Sequence, residues 1–149
     1  MIAVIQRVSR SSVTVDNKIV AQIGQGLNIL LGVKKGDTKE DITKLVQKIA
    51  NLRIFKDENE KMNLSLLDIK GEILVISQFT LAGNIKKGRR PNFDSSEKPE
   101  VAKVLYEEFI QECKNFDIKV ESGVFAAYMD VAIQNDGPVT FIVDSWELN

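Results

Sequence analysis

The chain of 149 residues contains no histidine. That absence excludes Ser-His-Asp and Cys-His nucleophile–base pairs and zinc hydrolases whose metal is held by histidine. The single cysteine, Cys113, excludes an internal disulfide and a multi-cysteine zinc cluster. No apolar run reaches the length of a membrane span. The opening residues, with Arg7 and Arg10 among alternating apolar side chains, do not read as a signal peptide. A cytoplasmic protein is expected. An excess of one charge is also missing. The formal net charge is −1, so a nucleic-acid partner would have to be held by a local basic patch. Any chemistry falls to carboxylates, lysines, backbone groups, water or the substrate itself, and no metal or organic cofactor is called for.

What is present suits a globular chain. A hydrophobic share of 44% and a charged share of 28% allow a real core, and the length fits one domain over 1–149. Ile2–Val8 and Ser12–Val15 are rich in β-branched residues and predict strands. Asp16-Asn17 predicts a turn, Lys18–Ile23 its returning strand, and Leu27–Val33 a strand apolar on both faces. Thr38 predicts a helix N-cap, with Glu40 and Asp41 in the first turn. Ile42, Leu45, Val46 and Ile49 then give that helix one apolar face. Leu52–Phe55 and Leu74–Leu81 predict strands, with Asp57–Lys61 a polar loop between them. Gly83–Ser96 predicts a long polar loop. A second helix is predicted over Pro99–Asn115, with Val101, Leu105 and Phe109 on one stripe and Pro99 in its first turn. Ile118–Val120, Val124–Ile133 and Val139–Val143 close the chain as strands. The expected class is α+β: a mainly antiparallel sheet or barrel with two packed helices.

Two segments carry polar groups that a plain core strand does not need. In Ser77-Gln78-Phe79-Thr80-Leu81, two hydroxyls flank Gln78 and Phe79. A strand ending there would leave backbone N–H groups free to bind an oxyanion; equally, its polar residues could serve ordinary edge hydrogen bonds. Thr80 is not favoured as a nucleophile, because its hydroxyl needs a base and no histidine supplies one. Asn135-Asp136-Gly137 reads as a tight turn, followed by Pro138 at the head of an apolar strand, a position that proline tolerates. Arg7, after Gln6, interrupts an apolar strand, where a solvent-facing arginine is the usual reading. Phe125 and Met129 are an apolar pair. Lys86-Lys87-Gly88-Arg89-Arg90 places four cations in one loop, with Phe93 nearby.

These segments, together with the opening Met1–Val8 and the closing Pro138–Ser145, resemble the D-aminoacyl-tRNA deacylase (D-Tyr-tRNA deacylase) family over nearly the whole chain. The resemblance implies that Ser77, Gln78, Phe79 and Thr80 line the pocket for the 3′ end of aminoacyl-tRNA and position the oxyanion. It implies a cis Gly137–Pro138 bond that enters the partner subunit's site as a chirality gate, with Arg7 as its anchor. Phe125 and Met129 would lie near the terminal adenosine, and Lys86, Lys87, Arg89 and Arg90 would contact tRNA phosphates. The implied enzyme is a homodimer that hydrolyses D-aminoacyl-tRNA, and glycyl-tRNA mischarged on tRNA(Ala), with help from the terminal ribose 2′-hydroxyl. Two rivals are weighed. The animal deacylases that edit L-alanine from threonine tRNA lack the Arg7 and Ser-Gln-Phe-Thr features. A non-catalytic nucleic-acid-binding protein is disfavoured by the near-neutral charge.

Overall fold

The computed structural model of the chain describes residues 1–149. Its elements run β1 (Ile2–Val15), β2 (Lys18–Ile23), β3 (Gly26–Gly32), α1 (Lys39–Asn51), β4 (Phe55–Lys56) and β5 (Met62–Leu64). Then come the one-turn helix α2 (Leu66–Ile69), β6 (Glu72–Ser77), a 3-10 turn at Phe79–Ala82, α3 (Pro99–Asn115), β7 (Lys119–Ser122), β8 (Asp130–Asp144) and a 3-10 turn at Ser145–Glu147. Asp16 and Asn17 turn β1 into β2 with φ of 50° and 63°, the left-handed geometry that tight hairpins need and that Asp and Asn tolerate.

β1 organises the sheet. Its first half pairs with β3 and its second half with β2, while β8 runs antiparallel along its other edge. β6 joins β3 in parallel, and β7 joins β6 in parallel. The strand order is β2-β1-β3-β6-β7, with β8 on β1. β2 also lies against β7, so the mixed sheet nearly closes. The α+β class stands, with antiparallel ladders outnumbering parallel ones. β6 is buried on both faces, as an interior parallel strand must be. Its alternation splits the core. Ile73 and Val75 join Ile42, Leu45, Ile49, Leu105 and Phe109 under α1 and α3. Leu74 and Ile76 pack with Val8, Val13, Ala21 and Ile23 on the opposite face of the sheet.

Several predicted boundaries move. The two opening strands are one continuous β1, and Leu52–Phe55 contributes only Phe55 to a strand. Val101 is exposed, and Tyr106 takes the buried place on α3 instead. The strand expected over Leu74–Leu81 ends at Ser77, because its partner β3 ends at Gly32. The strand expected from Val124 starts only at Asp130: Val124–Met129 is a turn, with Ala126 at φ 63°. No helix is long and apolar enough to cross a membrane.

Candidate functional site

The end of β6 is built by the loss of its neighbour. Gln78 N donates to Leu31 O at 2.8 Å, the last rung before β3 stops. The chain then coils, with Leu81 N donating to Gln78 O at 3.2 Å and Gly83 N to Thr80 O at 2.9 Å. The amides of Phe79 and Thr80 are the first two of this turn and donate to no group within the chain. A negative oxygen placed there would meet two free N–H donors. The Thr80 hydroxyl is met by the side-chain amide of Gln78, a donor. An amide donor there cannot remove the hydroxyl's proton.

The Phe79 ring is 57% exposed and meets Phe93 edge to face, with centroids 5.1 Å apart. Phe93 also packs so tightly over Gly83 that a methyl group there would sit 2.9 Å from its ring. The loop carrying Lys86, Lys87, Arg89 and Arg90 is thereby seated against the end of β6. Paired bonds between Asn84 and Asn92 (2.7 and 2.9 Å) close its root, and all four cations are exposed and free of acidic partners.

The turn after β7 leaves the sheet at this same end. Gly123 N donates to Val75 O at 3.1 Å, and the Tyr106 hydroxyl donates to the same oxygen at 3.0 Å. Burial pushes the Tyr106 phenol up to about 12, so it remains a donor at neutral pH. Phe125 folds inward onto the Tyr106 ring at 5.7 Å, whereas Met129 packs beside Gly123 with the other cluster. The structure therefore separates this pair. Tyr106 escaped the sequence reading because a tyrosine on an apolar helix stripe carries no local mark of its partner.

The second segment faces Arg7. Gln6 pairs with Thr140 and Val8 with Asn135, so Asp136, Gly137, Pro138 and Val139 together stand opposite that one residue. The excursion projects from β8, with Gly137 and Pro138 exposed and their peptide bond cis. Arg7 is 3% exposed; its Nε donates to Asp136 O at 2.9 Å and its Nη1 to Ile54 O at 2.6 Å. An arginine that reads as solvent-facing is thus a buried tie between the excursion and the segment after α1.

Within one chain the two segments do not meet. Ser77 aligns with Leu31 and Ala3, and Arg7 aligns with Leu27 and Ile73. Four residues and three strand steps therefore intervene, roughly 13 Å along the strands and about 14 Å across them on a flat sheet. A surface cavity of about 730 Å³ lies between α1 and Glu147–Asn149 and touches neither segment.

The family described as D-Tyr-tRNA(Tyr) deacylase matches residues 4–144, a span holding both segments and Arg7. The chain belongs to that family. Relatives of this D-Tyr-tRNA deacylase family include the D-aminoacyl-tRNA deacylase of Persephonella marina, 68% identical over 97% of this chain and 98% of that protein. The D-aminoacyl-tRNA deacylase of Aquifex aeolicus is 62% identical over 99% and 100%. Among solved structures, the c-Myc DNA Unwinding Element Binding Protein matches with a TM-score of 0.91 at 41% identity, over 97% of this chain and 98% of its own. A probable eukaryotic D-amino acid tRNA deacylase shares the deacylase fold, with a TM-score of 0.78 at 20% identity over 95% and 97%.

Proposed function

We propose that the chain is a D-aminoacyl-tRNA deacylase acting in the cytoplasm as a homodimer. The observation that carries this reading is the pair of unpartnered amides at Phe79 and Thr80, inside a chain whose family and relatives bear that activity in their names. Water attacks the acyl carbon of the ester, the bond to the ribose 3′-oxygen breaks, and free amino acid and tRNA leave. The two amides stabilise the oxyanion, and positioning of the ester does much of the remaining work. With no histidine and only an amide on Thr80, the reading assigns proton management to the neighbouring ribose 2′-hydroxyl.

Gly137–Pro138 stands on β8, three strand steps from the β6 end that carries these amides, and this reading assigns it to the partner's site. There its carbonyls accept from the substrate ammonium, and its bulk excludes an L side chain. Glycine, being achiral, passes, so glycyl-tRNA mischarged on tRNA(Ala) is a second substrate. Phe125, carried by the turn at the Phe79–Thr80 end of the sheet, flanks the adenosine, and the cations from Lys86 to Arg90 hold acceptor-stem phosphates.

The deciding assay compares D-Tyr-tRNA with L-Tyr-tRNA, each with and without the terminal 2′-hydroxyl. Rapid release from the D-ester alone, abolished by 2′-deoxy substitution, is the expected result. Equal D and L rates would reject the gate, and unchanged 2′-deoxy turnover would reject substrate assistance. The likeness to the DNA Unwinding Element Binding Protein supplies a second reading, which tight duplex DNA binding without ester hydrolysis would favour.

A further inference from the structure

The projection opposite Arg7 creates a bonding problem at its far end. Val139 lies outside the β1 ladder and is only 7% exposed, so its peptide groups need partners from elsewhere. One side chain supplies both. Asn135 Oδ1 accepts from Val139 N at 2.7 Å, and Asn135 Nδ2 donates to Val139 O at 3.3 Å and to the Thr140 hydroxyl at 3.0 Å. A primary amide carries an acceptor and two donors in one plane, so it meets both peptide groups of Val139, as the N–H and C=O of a neighbouring strand would have done. Asn135 thus takes the place of the missing rung, and it closes residues 135–139 into a loop. Arg7 holds the projection at Asp136 O, while Asn135 holds it at Val139. Between those two ties, only Gly137 and Pro138 stand free.

We infer that Asn135 is a positioning residue for substrate chirality: its amide fixes where the Gly137–Pro138 carbonyls stand, without touching substrate. The inference rests on the reading of Gly137–Pro138 as the gate. Aspartate at 135 keeps the shape and the acceptor for Val139 N, but turns the donor toward Val139 O into a second acceptor. Glutamine keeps the amide but moves it by one methylene.

The test measures kcat/KM of the full-length protein and of Asn135→Asp and Asn135→Gln on D-Tyr-tRNA and L-Tyr-tRNA. The D-over-L ratio is expected to fall about ten-fold or more in Asn135→Asp, because the substitution replaces the attraction between Nδ2 and Val139 O with two acceptors facing each other. A smaller fall is expected for the glutamine variant, which carries the test if the aspartate variant does not fold. A purely structural role would lower both rates in proportion, and an unchanged ratio overturns the inference. Absence of D-over-L preference in the unaltered protein overturns the gate reading itself, so the two failures are separable.

Discussion

Gly137 shows how little freedom the projection has. Its φ of +144° belongs to a region that side chains avoid, and an added Cβ would lie 2.8 Å from Val139 Cγ2 and 3.2 Å from Arg7 Nη2. Gly137→Ala is therefore expected to cost about 1–3 kcal/mol of stability, read as a lower urea midpoint at unchanged m. Its deacylation should fall further than its stability, because the methyl group displaces the carbonyls that the gate presents. Arg7 makes the complementary point about legibility. In β1 Arg7 follows Ala3 and Ile5 on the buried face, but Ile2 and Val4 make the other face equally apolar in sequence, so the pattern did not mark which face is inside. The burial of Arg7 comes from four residues of β8 bulging over one residue of β1, a relation between strands distant in sequence. The family resemblance supplied the anchor role; the pattern of the strand alone did not.

Helices were legible where a 3.6-residue period decides. The apolar face of α1 and its Thr38 N-cap stand as read, as do the limits of α3. Strand ends were not, because they depend on partners. β6 stops where β3 stops, and the Val124–Met129 turn appears because β7 leaves the sheet at Gly123. The basic loop lies between these cases: composition marked it as a loop, but only the packing of Phe93 on Phe79 shows that its root is fixed to the candidate pocket. A loop that presents four unpaired cations from a fixed root should act on binding more than on turnover. Replacing Lys86, Lys87, Arg89 and Arg90 with alanine should weaken tRNA binding most at low salt. It should also flatten the plot of log K against log salt by about 0.7–0.9 for each phosphate that is no longer neutralised. Filter binding across a salt series checks this, with KM rising while kcat at saturation is largely kept.

At the scale of the whole molecule, both ends of the chain are tied to one ionic cluster: the Met1 ammonium donates to Asp37 Oδ1 at 2.5 Å and to Ser145 Oγ at 2.7 Å, and Lys34 pairs with Asp144. Burial alone would raise the Asp144 carboxyl, but Lys34 Nζ at 2.6 Å and the Trp146 amide outweigh it and hold it below the ordinary 3.8. Asp41 is likewise pushed up by burial and brought below 3.8 by the Thr38 amide and the Ser145 hydroxyl. Carboxyls depressed in the folded state bind protons more tightly when unfolded. Their contribution is complete well above pH 3.8 and is lost as pH falls through that value toward the folded ones. Urea midpoints should thus drop between about pH 5 and pH 3, and Asp144→Asn should make that drop shallower. The separation of the two motifs gives the more demanding prediction. If Gly137–Pro138 serves the partner's Phe79 and Thr80, a defect at either end can be complemented. Phe79→Pro deletes one amide at a turn position where proline is tolerated, and Gly137→Ala displaces the gate. Each variant alone should be nearly inactive as a homodimer. Equal amounts, unfolded and refolded together, should form mixed dimers in which one site inherits both defects and the other inherits neither. With random pairing, roughly a quarter of the wild-type activity should return. If each chain housed its own complete site, every site in the mixture would carry one defect, and no activity would return.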